Sequence, residues 1–236
     1  MRKIHYSYFL SFIILFTFLT SCEDKSASSP DPGRIIGTTK KENNDLERRL
    51  NNLPVEDREG WFQFTENDYF HLDIRYATDN NFVEEKMYEC GKCYLRAEAG
   101  KALQKVAKSL AQINHKIVLF DCYRPKPVQQ KLWDKVPNAS YVTPPAKGSM
   151  HNRGVAIDLS IMDGDGNYLD MGTEYDFFGK EAHTDNLDLP KNVLRNRKLL
   201  NDLMDKYGFK GIRTEWWHFS FVDGSYEIAD WEWDCL

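Results

Sequence analysis

Gly154–Ile161 reads GVAIDLSI and follows directly on Ser149–Arg153, SMHNR. The run is short, mostly apolar and bounded by turn residues on both sides, so it reads as a strand. His151 and Asp158 lie seven residues apart, and on an unbroken strand an odd separation points two side chains to opposite faces. Both reach one point only if the chain bends between them. Asn152, Arg153 and Gly154 supply the bend, since glycine tolerates backbone angles closed to other residues. His151 is therefore expected in a loop and Asp158 within the strand.

Working outward, Leu95–Asn114 reads as an amphipathic helix, with Leu103, Val106, Leu110 and Ile113 recurring at intervals of three and four. Ile117–Phe120 (IVLF) is a fully apolar run expected as a buried strand, ended by Pro125 and Pro127 in DCYRPKP. Val128–Val136 suits a short helix, and Pro137–Gly148 is a polar, proline-bearing loop. After the central strand, Asp163–Asn167 (DGDGN) reads as a tight hairpin turn. Asp163, Asp165 and Asn167 have the spacing that opens a calcium loop, but no helix pattern follows, and the turn is the reading taken. Asn192–Tyr207 is a second helix, with Leu199, Leu200, Leu203 and Met204 on one side and Gly208 where a C-terminal cap belongs. Trp216–Val222 alternates as a strand. Helix, strand, helix, hairpin, helix and strand in that order predict a single α+β domain with a mostly antiparallel central sheet flanked by helices.

A second segment, Glu215–His218 (EWWH), lies about sixty residues beyond the first. Together the two supply His151, Asp158 and His218, three ligands of the types that hold zinc with the fourth position open. Glu215 adds a carboxylate to take a proton from water. The parity argument applies again: Glu215 and His218 face apart on a regular strand, so Glu215 is expected at the strand mouth or at a bulge, with His218 inside. Trp217, Phe219 and Phe221 then share the other face and enter the core. Arg124, at the end of an apolar strand, is a candidate donor to an oxyanion.

The 236-residue chain fits one domain of ordinary size with extra segments. Its net charge of -5 and the lack of a long basic run point away from nucleic acid. Arg2 and Lys3, the apolar stretch Tyr8–Leu19 and then LTSC (Leu19–Cys22) resemble a bacterial lipoprotein signal. That resemblance implies a signal peptide over 1–21, a lipid on Cys22 holding the protein to a membrane, and a cell-envelope location facing the periplasm or exterior. Residues 22–57 are rich in Ser, Pro, Gly, Asn and charge and read as a flexible tether, leaving 58–236 as the functional domain, with aromatics appearing from Trp61. With Cys22 lipidated, four cysteines remain, which allow three full pairings. A Cys93–Cys122 disulfide is the pairing favoured, with free buried thiols as the alternative.

Five pieces in order, DIRYATDNNF (73–82), DCYRPKP (121–127), SMHNRGVAIDLS (149–160), MGTEYDFF (171–178) and NRKLLNDLMDKYGFKGIRTEWWHF (196–219), resemble the VanX-type D-alanyl-D-alanine dipeptidases. The likeness runs from about Asp73 to Val222. It implies one zinc ion held by His151, Asp158 and His218, with Glu215 as general base and later acid and Arg124 stabilising the tetrahedral intermediate. Ser149 would bind the carboxylate end of the substrate. Tyr76 and Asp176 would lie near it, Asp176 suited to the free ammonium, with Tyr88 a weaker match in that role. The alternatives are a D,D-carboxypeptidase acting on peptidoglycan stem peptides, which needs an open cleft, and a non-catalytic zinc-bearing wall-binding lipoprotein. Relatives known for glycopeptide resistance act on a cytoplasmic pool, so an exported enzyme is expected instead to recycle or feed on wall-derived dipeptides.

Overall fold

The computed structural model describes residues 60–139 and 141–235. The expected signal peptide, lipid on Cys22 and tether lie outside the described residues. The strands are β1 (Trp61–Phe64), β2 (Phe70–Leu72), β3 (Cys93–Arg96), β4 (Lys116–Asp121), β5 (Ala156–Met162), β6 (Phe209–Ile212) and β7 (Glu215–Phe221), and the α-helices are α1 (Ala97–Ala111), α2 (Lys126–Lys135) and α3 (Lys191–Lys206). Five strands form the main sheet in the order β2-β4-β5-β7-β6, while β1 and β3 pair separately. Within the main sheet only β2 and β4 run parallel. The expected α+β architecture with a mostly antiparallel sheet is thus the one observed.

The GVAIDLSI stretch supplies β5, the middle strand of the five, and all seven of its residues are buried. A strand covered on both faces has no polar side, which is why this one carries no strict alternation. β7 lies against it and sends Trp217, Phe219 and Phe221 into the core. From α1 come Leu103, Val106 and Leu110, and from α3 Leu200 and Met204. Gly208, at φ +89°, ends α3 in the left-handed conformation that a C-terminal cap uses. Asp163 Oδ1 accepts from the backbone N–H groups of Asp165 and Asn167, which closes the expected hairpin turn.

Several boundaries differ from expectation, two of them for a clear physical reason. Leu95 and Arg96 belong to β3, because pairing with Trp61 and Phe62 of β1 holds them extended, and α1 starts only at Ala97. The central strand begins at Ala156 because Gly154 still turns, at φ +72°, with the Trp61 ring packed where a side chain would go.

Two disulfides close the domain: Cys93–Cys122, as favoured from sequence, and Cys90–Cys235. The second fastens the C-terminal strap, in which Trp231 packs on Trp61, Tyr123 and Tyr94. Among the described residues no helix is long and apolar enough to cross a membrane.

Candidate active site

Asp158 of β5 and His218 of β7 are register partners across two antiparallel strands, so their side chains emerge together on one face. His151 comes to them from the turn before β5, as the bend in the sequence required. Asp158 Oδ1 lies 2.9 Å from His218 Nδ1 and 3.5 Å from His151 Nε2, and the two imidazole nitrogens are 3.2 Å apart. Tetrahedral ligands bound to zinc at about 2.0–2.1 Å stand roughly 3.3–3.4 Å from one another. The triangle has that size, and two imidazoles with one carboxylate are donors zinc accepts, so the residues fit the ion.

Each ligand is held from behind. The Nδ1–H of His151 donates to the Cys122 carbonyl at 2.7 Å, which leaves Nε2 with its lone pair toward the triangle. Tyr175 donates its hydroxyl to Asp158 Oδ2 at 3.0 Å. His218 Nε2 stands 3.3 Å from Ser220 Oγ, leaving Nδ1 for the ion. Burial opposes a charge on Asp158, but His151 and His218 outweigh it and hold the carboxyl far below the ordinary carboxylate range.

Glu215 is the first residue of β7, at an irregularity in its pairing with β6. Its Oε2 is 4.0 Å from His218 Nδ1, close to the triangle without being part of it. Burial pushes its carboxyl pKa up. Position and polarity therefore match the expectation of a spare carboxylate at a strand mouth.

A cavity of about 250 Å³ opens over these groups, lined by His151, His218, Glu215, Arg124, Ser149, Tyr76 and Asp176 among others. All the expected site residues except Asp158 and Tyr88 thus face one space; Asp158 reaches it through the triangle. Arg124 is buried and donates from Nε and Nη2 to Asp121 Oδ2, at 3.1 and 2.6 Å, and from Nη1 to Gln129 Oε1 at 3.1 Å. Its backbone N–H donates to the His151 carbonyl, so the oxyanion candidate and the first metal ligand are tied together. Tyr76 donates its hydroxyl to Asp176 Oδ2 at 3.0 Å. Asp176 adopts φ +59°, a left-handed conformation that aspartate tolerates better than most residues. Burial, followed by the negative charge of Asp158, raises its carboxyl pKa well above the ordinary value.

Tyr88 is a correction. It does not line the cavity; its hydroxyl is turned inward and donates to Asp121 Oδ1 at 2.6 Å. Asp121 has a full set of donors from Tyr88, Arg124 and the Cys122 N–H, so Tyr88 reaches the site indirectly, through Asp121 and Arg124 and through its ring contact with Tyr76 at 6.2 Å.

Sequence reasoning passed over Arg197 and gave Asn152 only a part in the bend, although both hold this arrangement. Asn152 accepts from the Ser149 N–H and hydroxyl through Oδ1 and donates Nδ2 to the Arg124 carbonyl at 2.7 Å. Arg197 of α3 donates to the carbonyls of Met171, Glu181 and His183, clasping the loop that carries Tyr175 and Asp176. For Asn152 a signal existed, its place beside His151. Arg197 lies within a helical pattern and offered none.

The family profile for D-Ala-D-Ala dipeptidase, Peptidase M15, matches residues 66–232. The D-alanyl-D-alanine dipeptidase of Escherichia coli (strain K12) is 37% identical over 167 residues, covering 70% of this chain and 86% of that protein. That of Enterococcus faecalis (strain ATCC 700802 / V583) is 27% identical over 175 residues, covering 65% and 87%. Among solved structures, the vancomycin resistance D,D-pentapeptidase VanY in complex with Zn(II) aligns at 16% identity over 55% of this chain and 74% of that one. Its TM-score of 0.35 is too low to carry an argument. The match to the family profile, spanning nearly all the described residues and every group around the cavity, establishes that this chain belongs to the D-Ala-D-Ala dipeptidase family of metallopeptidases.

Proposed function

We propose that the protein hydrolyses the D-alanyl-D-alanine dipeptide, using one zinc ion per chain held by His151, Asp158 and His218. The observation that carries this is the donor triangle, with edges of 2.9, 3.2 and 3.5 Å and Glu215 beside it but outside it. Zinc bound there supplies Lewis acidity, polarising a carbonyl and making a water acidic near neutral pH.

The remaining work falls to the chain's own groups. Glu215 accepts a proton from the attacking water and returns it to the departing amine. Burial raises its pKa, the direction that suits a carboxyl that must both take and give a proton. Arg124 stabilises the negative charge on the tetrahedral oxygen. Three of its five N–H donors go to Asp121 and Gln129, which leaves capacity for that oxygen while Asp121 fixes the guanidinium in place. Ser149 anchors the substrate carboxylate. Asp176, with Tyr76 hydrogen-bonded to it, receives the free ammonium. A cavity of about 250 Å³ is smaller than the roughly 300–1,000 Å³ sites of drug-sized ligands, which favours a very small substrate.

The address is part of the proposal. The basic start, apolar stretch and LTSC sequence support a lipid-anchored protein of the cell envelope that recycles or catabolises dipeptides released from peptidoglycan. The test is release of free alanine by zinc-loaded protein, D-alanine from D-Ala-D-Ala and from a stem pentapeptide and L-alanine from L-Ala-L-Ala, with and without chelator. Chelator-sensitive cleavage of D-Ala-D-Ala is expected. In Glu215→Gln, zinc content by elemental analysis stays at one per chain while turnover is lost. Near-normal turnover in that variant rules out Glu215 as the base, and no cleavage of D-Ala-D-Ala by the unaltered protein refutes the function.

A further inference from the structure

Aromatic rings from four separate places meet along one side of the cavity. Tyr76 stands in the short 3-10 turn Arg75–Ala77, Phe82 follows in the next loop, Phe178 lies beyond Asp176, and Tyr141 belongs to the loop after α2. Their ring centroids form a chain: 6.2 Å from Tyr76 to Phe82, 5.0 Å from Phe82 to Phe178 and 4.4 Å from Phe178 to Tyr141. Tyr141 and Phe178 are 49% and 41% exposed, although both rings are large and apolar. Two half-exposed rings in contact, each lining the same cavity from a different loop, make a bridge between its walls.

The two ends of the bridge differ in chemistry. Phe178 is two residues from Asp176, and Phe82 contacts both Phe178 and the Tyr76 ring whose hydroxyl holds Asp176. Tyr141 precedes Val142 and Thr143, and the Thr143 carbonyl accepts from Gln129, whose Oε1 lies 3.4 Å from the Ser149 hydroxyl. The rings therefore connect the wall that carries the acid to the wall that carries the serine. The loop backbone around Phe82 is pinned: the Asn81 side-chain amide donates to the carbonyls of Thr78 and Glu85 at 2.8 and 2.9 Å and accepts from the Val83 N–H at 3.0 Å.

We infer that Phe178 and Tyr141 set the length of the substrate, admitting a free dipeptide and excluding a peptide extended at its amino end. This rests on the proposed dipeptidase reading and on the orientation with the ammonium at Asp176. An extended substrate replaces that ammonium with an uncharged amide and brings further chain to the place where Phe82 and Phe178 meet. It loses the charge pairing and collides with the bridge. The Phe82 backbone is pinned, while Phe178 and Tyr141 are the half-exposed rings, so these two are taken as the ones whose removal makes room for the extension.

The experiment measures kcat/KM for D-Ala-D-Ala and for a stem pentapeptide ending in D-Ala-D-Ala, using zinc-loaded Phe178→Ala, Tyr141→Ala, the double variant and the unaltered protein. The readout is the ratio of pentapeptide to dipeptide. Apolar pockets discriminate size by about 10–200-fold, so the ratio is expected to rise by about tenfold or more in at least one single variant and further in the double. Leu187→Ala, at an exposed site away from the cavity, is expected to leave it unmoved. The two single changes lie on different loops, so misfolding of one leaves the other as a test. Unaltered protein that prefers the dipeptide, with a ratio unmoved in the folded variants, overturns the gate alone. Unaltered protein that cuts the pentapeptide as readily as the dipeptide, or cuts neither, overturns the dipeptidase reading and the gate with it.

Discussion

Removing one oxygen atom behind the metal triangle gives a sharp test of how the site is held. Tyr175→Phe deletes the hydroxyl that donates to Asp158 Oδ2 at 3.0 Å and leaves the ring, which packs at centroid distances of 4.9 Å from Phe120 and 5.4 Å from Trp217. Burial, together with the negative charges of Asp158 and Asp176, raises the phenol pKa well above its ordinary value, so the hydroxyl remains a neutral donor at any pH of use. Two routes give the size of the effect. Partners behind a metal ligand are typically worth about 10–100-fold in affinity. A hydrogen bond to a charged group contributes about 1.5–3 kcal/mol, and a hundredfold corresponds to about 2.7 kcal/mol. Zinc affinity is therefore expected to fall by about 10–100-fold, measured by competition between the metal-free protein and a chromophoric chelator at fixed pH. His218→Ala, which removes a ligand outright, should lose far more. A dissociation constant for Tyr175→Phe within about twofold of the unaltered protein would refute the idea that this hydroxyl orients Asp158, against the tenfold minimum expected.

Two further changes separate catalysis from stability. Arg124→Ala removes an oxyanion donor, which typically lowers turnover by about 10²–10³. It also strands buried Asp121, so urea unfolding should show a loss of about 3–5 kcal/mol. Asp176→Asn keeps an acceptor for Tyr76 and a residue tolerant of φ +59°, while removing the titrating carboxyl. Because the folded-state pKa of Asp176 is raised, the folded protein holds one more proton than the unfolded chain at pH values between the ordinary carboxylate pKa and the raised one. Stability of the unaltered protein therefore falls as pH rises through that window. The variant should be the more stable of the two above the window, with the difference closing at acid pH; a difference independent of pH would contradict the assignment.

What could be read from the sequence was whatever lay close along the chain. β5 showed itself because all its positions are buried, and β7 because Trp217, Phe219 and Phe221 alternate with His218. The parity of His151 with Asp158 and of Glu215 with His218 forced a bend and a strand mouth, and both are present. β1, β2 and β3 escaped because they are three or four residues long and take their form from distant partners: β1 from β3, β2 from β4. The same limit explains Tyr88, whose hydroxyl meets Asp121 across 33 residues, and the Cys90–Cys235 link across 145. Asp176 was found and its neighbour Tyr175 missed, because nothing local shows that adjacent residues serve the cavity on one side and the carboxylate of Asp158 on the other.

The site divides into a part fixed by strand register and a part carried on loops. Asp158 and His218 meet because β5 and β7 are paired at that position, and a slip of one residue would send one of them to the far face. Their geometry is therefore as rigid as the middle of the sheet. The groups expected to contact substrate come mostly from elsewhere: Tyr76 from a 3-10 turn, Arg124 and Ser149 from connections, Asp176, Phe178 and Tyr141 from loops. Those segments are held by side chains that do not touch the triangle, Asn152, Gln129 and Arg197 among them. Substrate length can then change without disturbing the metal, and metal affinity without changing which peptides fit. Altering the aromatic bridge should move the peptide ratio and leave zinc affinity in place, whereas Tyr175→Phe should weaken zinc and leave the ratio alone. Either perturbation moving both quantities together would show that the loops and the sheet are one mechanical unit.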